Sequence, residues 1–156
     1  MKTILKKRFI LNKNYILKLN ELLSISTHQV SAIFASDCAR HLMDHLAKDY
    51  EINPEALDAI EACHSWVSHE ISKVAARVYA QKVHVLAREE TNPVLKYFYR
   101  ACGHAAATPH VKSHAIHATN YVLKALLSIP GIKSDEVEEI ERSWQIKHLL
   151  DLGLKA

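Results

Sequence analysis

The chain has very little glycine and proline, three and four residues respectively among 156. Their scarcity argues against a fold of many short strands, which needs such residues at its turns. Alanine and leucine are plentiful instead, and both favour helices. A chain of this length forms one domain and buries roughly two-thirds of its unfolded surface without disulfides or metals. We therefore predict an all-α, single-domain antiparallel bundle of six to seven helices.

Cysteine is also scarce, and its pattern excludes several kinds of site. Cys38, Cys63 and Cys102 are odd in number, and no two of them form a C-x-x-C pair. Each lies in an apolar helical pattern, so we expect buried free thiols in a reducing cytoplasm. The chain also lacks a phosphate loop, a dinucleotide fingerprint and an H-E-x-x-H zinc motif. These absences argue against several familiar classes of enzyme.

Long uncharged apolar runs are missing, so we expect neither a membrane span nor a signal peptide, and we predict a cytoplasmic protein without a membrane partner. Acidic residues are missing from positions 1–20, which carry six basic residues. We assign residues 1–25 to a basic N-terminal extension and residues 26–156 to a helical domain. Such an arm leaves a nucleic-acid partner open, although a solvated basic face is the commoner explanation.

Cap signals divide the chain into helices. The predicted starts are Ser26 or Thr27, Asn53, Ser72, Asn92, Thr108 and Ser134. Each offers a side-chain oxygen to the free amides of a first helical turn, and proline follows three of them. Ser72 divides what would otherwise be one unusually long helix. For residues 1–23 a helix is favoured over a hairpin that would turn at residues 12–14.

Residues 100–124 form the centre of the predicted bundle, with the sequence R-A-C-G-H-A-A-A-T-P-H-V-K-S-H-A-I-H-A-T-N-Y-V-L-K. The small residues around Gly103 predict the close approach of another helix. A helix starting at Thr108 would place His110, His114, His117 and Tyr121 on one face. Beside that face runs an apolar stripe that we expect to enter the core. Its members are Val111, Ala115, Ala118, Val122 and Ala125.

The 3-4 spacing of apolar residues predicts further core positions. They include Val74 and Val78 after the break at Ser72, and Val137, Ile140 and Trp144 on the last helix. Six histidines are predicted on or beside inner faces, where loss of hydration would lower their pKa values. These are His41, His45, His64, His104, His110 and His114.

A second polar set lies on the first core helix. Asp37, His41 and His45 are spaced i, i+4 and i+8, and we expect them to face the core. Because an unpaired buried charge is costly, Asp37 and Arg100 are the best candidates for a buried ion pair.

A transition metal is the alternative use of these side chains. Its predicted ligands are Asp37, His41, His110 and His114. Nitrogen and carboxylate ligands suit such a metal. Histidine pairs at i and i+4 are nevertheless common in ordinary helices, so we expect no cofactor.

The stretch R-A-C-G-H-A-A-A-T-P-H-V-K-S-H, followed by Ala118, Tyr121 and Lys124, resembles the signature of a bacterial family of immunity proteins, the immunity-protein-5-like group. Weaker matches are S-D-C-A at residues 36–39 and the segment at residues 60–71, and together they cover residues 28–127. Pro109 and His117 depart from the family pattern. The resemblance implies an all-α protein that protects its producer from a cognate protein toxin.

Two functions therefore remain open. One is an immunity protein that binds and neutralises a toxin without turnover, and the alternative is a metal-dependent hydrolase or nuclease. Self-association is also open. The candidate functional cluster consists of Asp37, Arg100, His104, His110, His114 and Tyr121.

Overall fold

The computed structural model describes residues 11–155, and this part of the chain contains seven helices and no strand. The helices are α1 (Lys13–Ser24), α2 (His28–Leu46), α3 (Pro54–Val67), α4 (Lys73–Glu89), α5 (Pro93–Ala107), α6 (His114–Leu127) and α7 (Ser134–Lys155). The prediction of an all-α, single-domain fold is confirmed. None of the described helices is both long and apolar enough to cross a membrane.

Four of the predicted helix starts are confirmed by side-chain caps. Thr27, Asn53, Ser72 and Asn92 each accept a hydrogen bond from a backbone N–H two or three residues later, at 2.9–3.1 Å. Such caps satisfy amides that the first turn of a helix leaves free. The predicted break before Ser72 is therefore real, and it separates α3 from α4.

Helix α5 lies at the centre and contacts α2, α3, α4 and α6. Its buried residues include Ala101, Cys102, Gly103, Ala105 and Ala106. Because these side chains are small, neighbouring helices pack closely around α5. The prediction that residues 100–124 lie at the centre of the bundle is confirmed for α5 and α6.

Helix α1 confirms the helical prediction for part of the first 23 residues. Asn12 caps it by accepting from the amide of Asn14 at 2.9 Å, so residues 12–14 start a helix and do not turn a hairpin. Leu19 and Leu23 are buried, and α1 contacts α6 and α7. Four of the six basic residues of the predicted arm, at positions 2, 6, 7 and 8, lie outside the described residues. The boundary at residue 25 stays a prediction.

The predicted helix start at Thr108 is wrong. Thr108 instead follows the last residue of α5, and its hydroxyl donates to the carbonyl of His104 at 2.9 Å. The carbonyl of Thr108 accepts from Nε2 of His28 at 2.7 Å. These contacts hold Thr108 at the end of α5, so α6 begins only at His114. Val111 consequently falls outside α6 and is 42% exposed.

Two predicted inner faces are also corrected. Val74 and Val78 are 63% and 45% exposed, because α4 turns its alanine stripe toward α5. Ile140 of α7 is 71% exposed. Helix α7 instead buries mainly polar side chains, namely Glu141, Arg142 and Gln145, together with Leu149. The other members of the predicted α6 stripe, Ala115, Ala118, Val122 and Ala125, are fully buried as expected.

Candidate functional site

A row of histidines runs across three helices on one side of α5. We call it the histidine row, and its members are His84 of α4, His104 of α5, and His114 and His117 of α6. The ring of His104 lies within 5.1–5.4 Å of the other three ring centroids. Gly103 makes this arrangement possible, since a Cβ at that position would overlap the ring of His84. The predicted close approach at Gly103 is therefore made by a side chain of α4.

Arg100 binds the first histidine of the row. Its Nη1 donates to Nδ1 of His84 at 2.9 Å, so this histidine nitrogen is an acceptor. Loss of hydration and the charges of Arg100 and Arg88 lower the pKa of His84 to about 4. His84 is therefore neutral at physiological pH, which is the form that accepts from a guanidinium.

His104 is held at the junction of α5 and α6. Its Nδ1 lies 2.9 Å from Nδ1 of His114, and its ring stacks on Tyr121 at a centroid distance of 5.2 Å. Burial, followed by the neighbouring imidazoles and Arg100, lowers the pKa of His104 to about 3. Burial and the adjacent His117 and His110 lower the pKa of His114 as well. This part of the row is thus uncharged near neutral pH.

A cavity of about 470 Å³ opens beside the row, between α4 and α5. Its lining residues are Gln81, His84, Val85, Arg88, Arg100 and His104. Both arginines bring permanent positive charge to this wall, and no acidic residue lines it. The cavity therefore presents N–H donors and positive charge.

Asp37 does not pair with Arg100, and the predicted buried ion pair is wrong. Asp37 instead contacts Nε2 of His148 at 2.7 Å and Nε2 of His64 at 3.6 Å. Burial opposes ionisation of Asp37, but the interactions with the two histidines outweigh it and lower the carboxyl pKa. Helix α7 supplies His148, so the partner of Asp37 comes from the far end of the chain.

Trp144 lies between two imidazole rings. His148 stacks on it at 4.8 Å and His41 at 3.8 Å, both nearly parallel to the indole. Nε2 of His41 lies 3.5 Å from a carboxylate oxygen of Glu141, and the interaction with this carboxylate raises the pKa of His41. The predicted inward orientation of His41 and His45 is wrong, since both residues are exposed.

The predicted metal ligands are not brought together. Asp37 pairs with His148, His41 with Glu141, and His114 with His104. His110 lies exposed in the α5–α6 connection, because α6 begins four residues later than the position of His110. Within residues 11–155, no group of three or more metal-binding side chains is placed to hold an ion.

The three cysteines are buried and unpaired, as predicted. Burial raises the pKa of each thiol well above its ordinary value. The thiol of Cys63 donates to the carbonyl of Ala105 at 2.9 Å. The cysteines therefore act as small packing residues of the core.

Comparison with known protein families identifies the family of this chain. The family model described as "Imm-5 like putative immunity protein" matches residues 21–152. That range is more than four-fifths of the chain. The chain belongs to the Imm-5-like family. Searches of curated proteins and of solved structures gave no significant match.

Four predicted site residues of this Imm-5-like protein lie together: Arg100, His104, His114 and Tyr121. His84 was missed, although the Arg100–His84 contact fixes one end of the row. Its signal in the sequence is its position on α4 one residue after the buried Val83, opposite the glycine of α5.

The buried polar set on α7 of the Imm-5-like chain was also missed. Arg142 is fully buried and donates to Thr119 at 3.2 Å, to Gln145 at 2.9 Å and to Asn120 at 2.5 Å. Nothing in the local pattern of α7 distinguishes Arg142 from a solvated residue, since acidic residues surround it in the sequence. Its role follows only from the docking of α7 on α6.

Proposed function

We propose that this protein is an immunity protein that binds a protein toxin and neutralises it without chemical turnover. Membership of the Imm-5-like family is the observation that carries this proposal. A binding mechanism also agrees with a site whose cysteines lie in the core and whose histidines bond mainly to one another, to arginine and to carboxylates.

The toxin-binding surface that we favour is the outer face of α4. Val74, Val78 and Val85 are exposed there by 63%, 45% and 40%. Their spacing of four and seven residues places them on one stripe of the helix. We call this the valine stripe. Exposed apolar side chains that are grouped on one stripe of a helix are a feature of docking surfaces.

The charges around the valine stripe indicate the charge of the toxin surface that would bind there. Between Lys73 and Glu89, helix α4 carries four basic residues and one acidic residue. Helix α7 carries six acidic and three basic residues. Helix α4 contacts α3 and α5, whereas α7 contacts α1, α2 and α6, so the two charged surfaces lie on different sides of the bundle. A toxin bound at α4 would therefore present apolar side chains within an acidic surface.

The test uses protein products of the genes that neighbour this one as toxin candidates, with binding measured by calorimetry and protection measured by survival of cells that express both proteins. We expect Val78→Asp to lose binding and protection while its melting temperature stays close to that of the unchanged protein. Ile140→Asp is the matched control, because Ile140 is an exposed apolar residue on α7. It should retain both properties.

Two results would contradict the proposal. If Val78→Asp bound the toxin as tightly as the unchanged protein, the valine stripe would not be part of the interface. Complete protection at far less than one protein molecule per toxin molecule would indicate turnover, since a stoichiometric inhibitor cannot protect in that way.

A further inference from the structure

The cavity between α4 and α5 is an open surface depression that two arginines line. Its volume of about 470 Å³ falls within the range of about 300–1,000 Å³ that small-ligand sites occupy. It lies at the C-terminal end of the valine stripe, next to Val85. Neither the family match nor the proposed toxin surface gives this cavity a role.

The arginines of the cavity carry N–H donors without acceptors. A guanidinium has five such donors, and Arg100 commits one of them to His84. Arg100 is half-buried, yet neither it nor Arg88 forms an ion pair with any of the described residues. Arg100 loses part of its hydration at this position, and a charged group that loses hydration is stabilised by an oppositely charged partner. An anion supplied from outside the chain would give these guanidinium donors an acceptor.

The orientation of Arg100 is fixed by its neighbour. His84 accepts from Nη1, and the ring of His84 is itself held against Gly103, where a larger residue would displace it. His84 is thus a positioning residue for the guanidinium. A fixed guanidinium loses less side-chain entropy when it binds a ligand, which favours a specific anion over a loosely attracted one.

We propose that this cavity binds the phosphate group of a small phosphomonoester. Two guanidinium groups can supply paired N–H donors to several oxygens of one tetrahedral dianion. The side-chain amide of Gln81 lies on the same wall and adds a neutral donor. A carboxylate offers two oxygens and one negative charge to the two guanidinium groups, whereas a phosphate dianion offers three oxygens and two charges, and a cation would be repelled by both. A phosphodiester carries one charge less and extends in two directions, so it fits the cavity less well.

The experiment titrates the whole protein with inorganic phosphate near pH 8, where phosphate is mostly a dianion, at constant ionic strength. Binding is followed by calorimetry and by amide chemical shifts. We expect saturable binding, with shifts concentrated at the ends of α4 and α5 that line the cavity. Arg88→Gln and Arg100→Gln should each weaken it by about tenfold or more. Arg100→Lys keeps the charge but loses the paired donors. Its affinity for phosphate should lie between that of Arg100→Gln and that of the unchanged protein.

Arg77→Gln is the matched control. It also removes one positive charge from α4, at an exposed residue that does not line the cavity. We expect its affinity for phosphate to stay within about twofold of the unchanged protein. Arg88 is itself exposed, so Arg88→Gln remains informative even if Arg100→Gln fails to fold.

Three outcomes would overturn the proposal. They are no saturable binding of phosphate, an equal loss of affinity in Arg77→Gln, and binding of acetate as tight as that of phosphate. A short single-stranded DNA that binds while phosphate and glycerol phosphate do not would assign the cavity to nucleic acid instead. None of these measurements involves the toxin, so a failure here leaves the proposed function untouched.

Discussion

The Nδ1 atoms of His104 and His114 lie 2.9 Å apart. Such a contact needs one nitrogen that donates and one that accepts, so the two rings cannot both be protonated while it persists. His104 also contacts His84, which must stay neutral at Nδ1 to accept from Arg100. One side of the molecule is therefore built from imidazole contacts that are lost when both His104 and His114, or Nδ1 of His84, are protonated.

We predict that the protein loses stability as the pH falls below about 6.5. The folded pKa values of His84 and His104, about 4 and about 3, lie below the ordinary value of 6.5. Such groups contribute stability above the unfolded pKa, and this contribution is lost as pH falls toward the folded values. His41 acts in the opposite direction, because its pKa is raised by Glu141. Urea unfolding at pH 7 and pH 5 measures the net effect.

The variant His104→Gln isolates one contributor to this pH dependence. It removes a titrating group from the row, so the difference in unfolding free energy between pH 7 and pH 5 should shrink. A protein that gained stability on acidification would show that the carboxylate–histidine pairs of Asp37 and Glu141 outweigh the row. Our account of the row would then be wrong.

Most helix starts could be predicted because a cap is a local structure. Thr27, Asn53, Ser72 and Asn92 bond to amides two or three residues away, and the sequence shows both partners. Thr108 was misplaced because a distant residue decides its role. Its carbonyl binds His28 across 80 positions of the chain, and no local pattern contains that contact.

The candidate site was also predictable only where its residues are close together in the sequence. Arg100, His104, His114 and Tyr121 fall within one short stretch, and the resemblance to the family drew attention to them. The partners that set their chemistry come from elsewhere, since α4 supplies His84. The pairing of Asp37 failed for the same physical reason, because α7 presents His148 closer to it than any arginine.

We predict that Arg142→Ala destabilises the protein by about 2–5 kcal/mol, through a cavity and the loss of three hydrogen bonds. Its side chain is fully buried, and the removal would leave the oxygens of Asn120 and Gln145 without this donor. Arg142→Met fills more of the space and should cost less. Denaturant unfolding of both variants tests this. Lys147→Ala is the control, because Lys147 is exposed on the same helix. If Arg142→Ala lost no more unfolding free energy than Lys147→Ala, the prediction would be wrong.

Thiol chemistry offers a separate test of the core. Cys38, Cys63 and Cys102 are buried, and their raised pKa values keep them protonated. Because the thiolate is the reactive form, we expect almost no reaction with a disulfide reagent at pH 8 in the folded protein. Addition of denaturant should release three reactive thiols. Rapid labelling of the folded chain would show that the core opens far more readily than its packing indicates.

Gly103→Ala should destabilise the protein, although alanine is the better helix former. In an open helix this change would gain about 1 kcal/mol. At Gly103 the added methyl group overlaps the ring of His84, which must move and release Arg100. Overpacking of this kind costs about 1–3 kcal/mol, so we expect a net loss of stability.

The matched control for this substitution is Gly153→Ala. Gly153 also lies in a helix, but nothing lies within 4 Å of the position that its Cβ would take. We expect this variant to be unchanged or slightly more stable in thermal and denaturant unfolding. The effect of Gly103→Ala should also be measured in a protein that already carries His84→Ala. There the added methyl group should cost little stability, because the overlapping ring is gone. If Gly103→Ala were as harmless as Gly153→Ala, the ring of His84 could not lie against α5 in solution as it does in the structure.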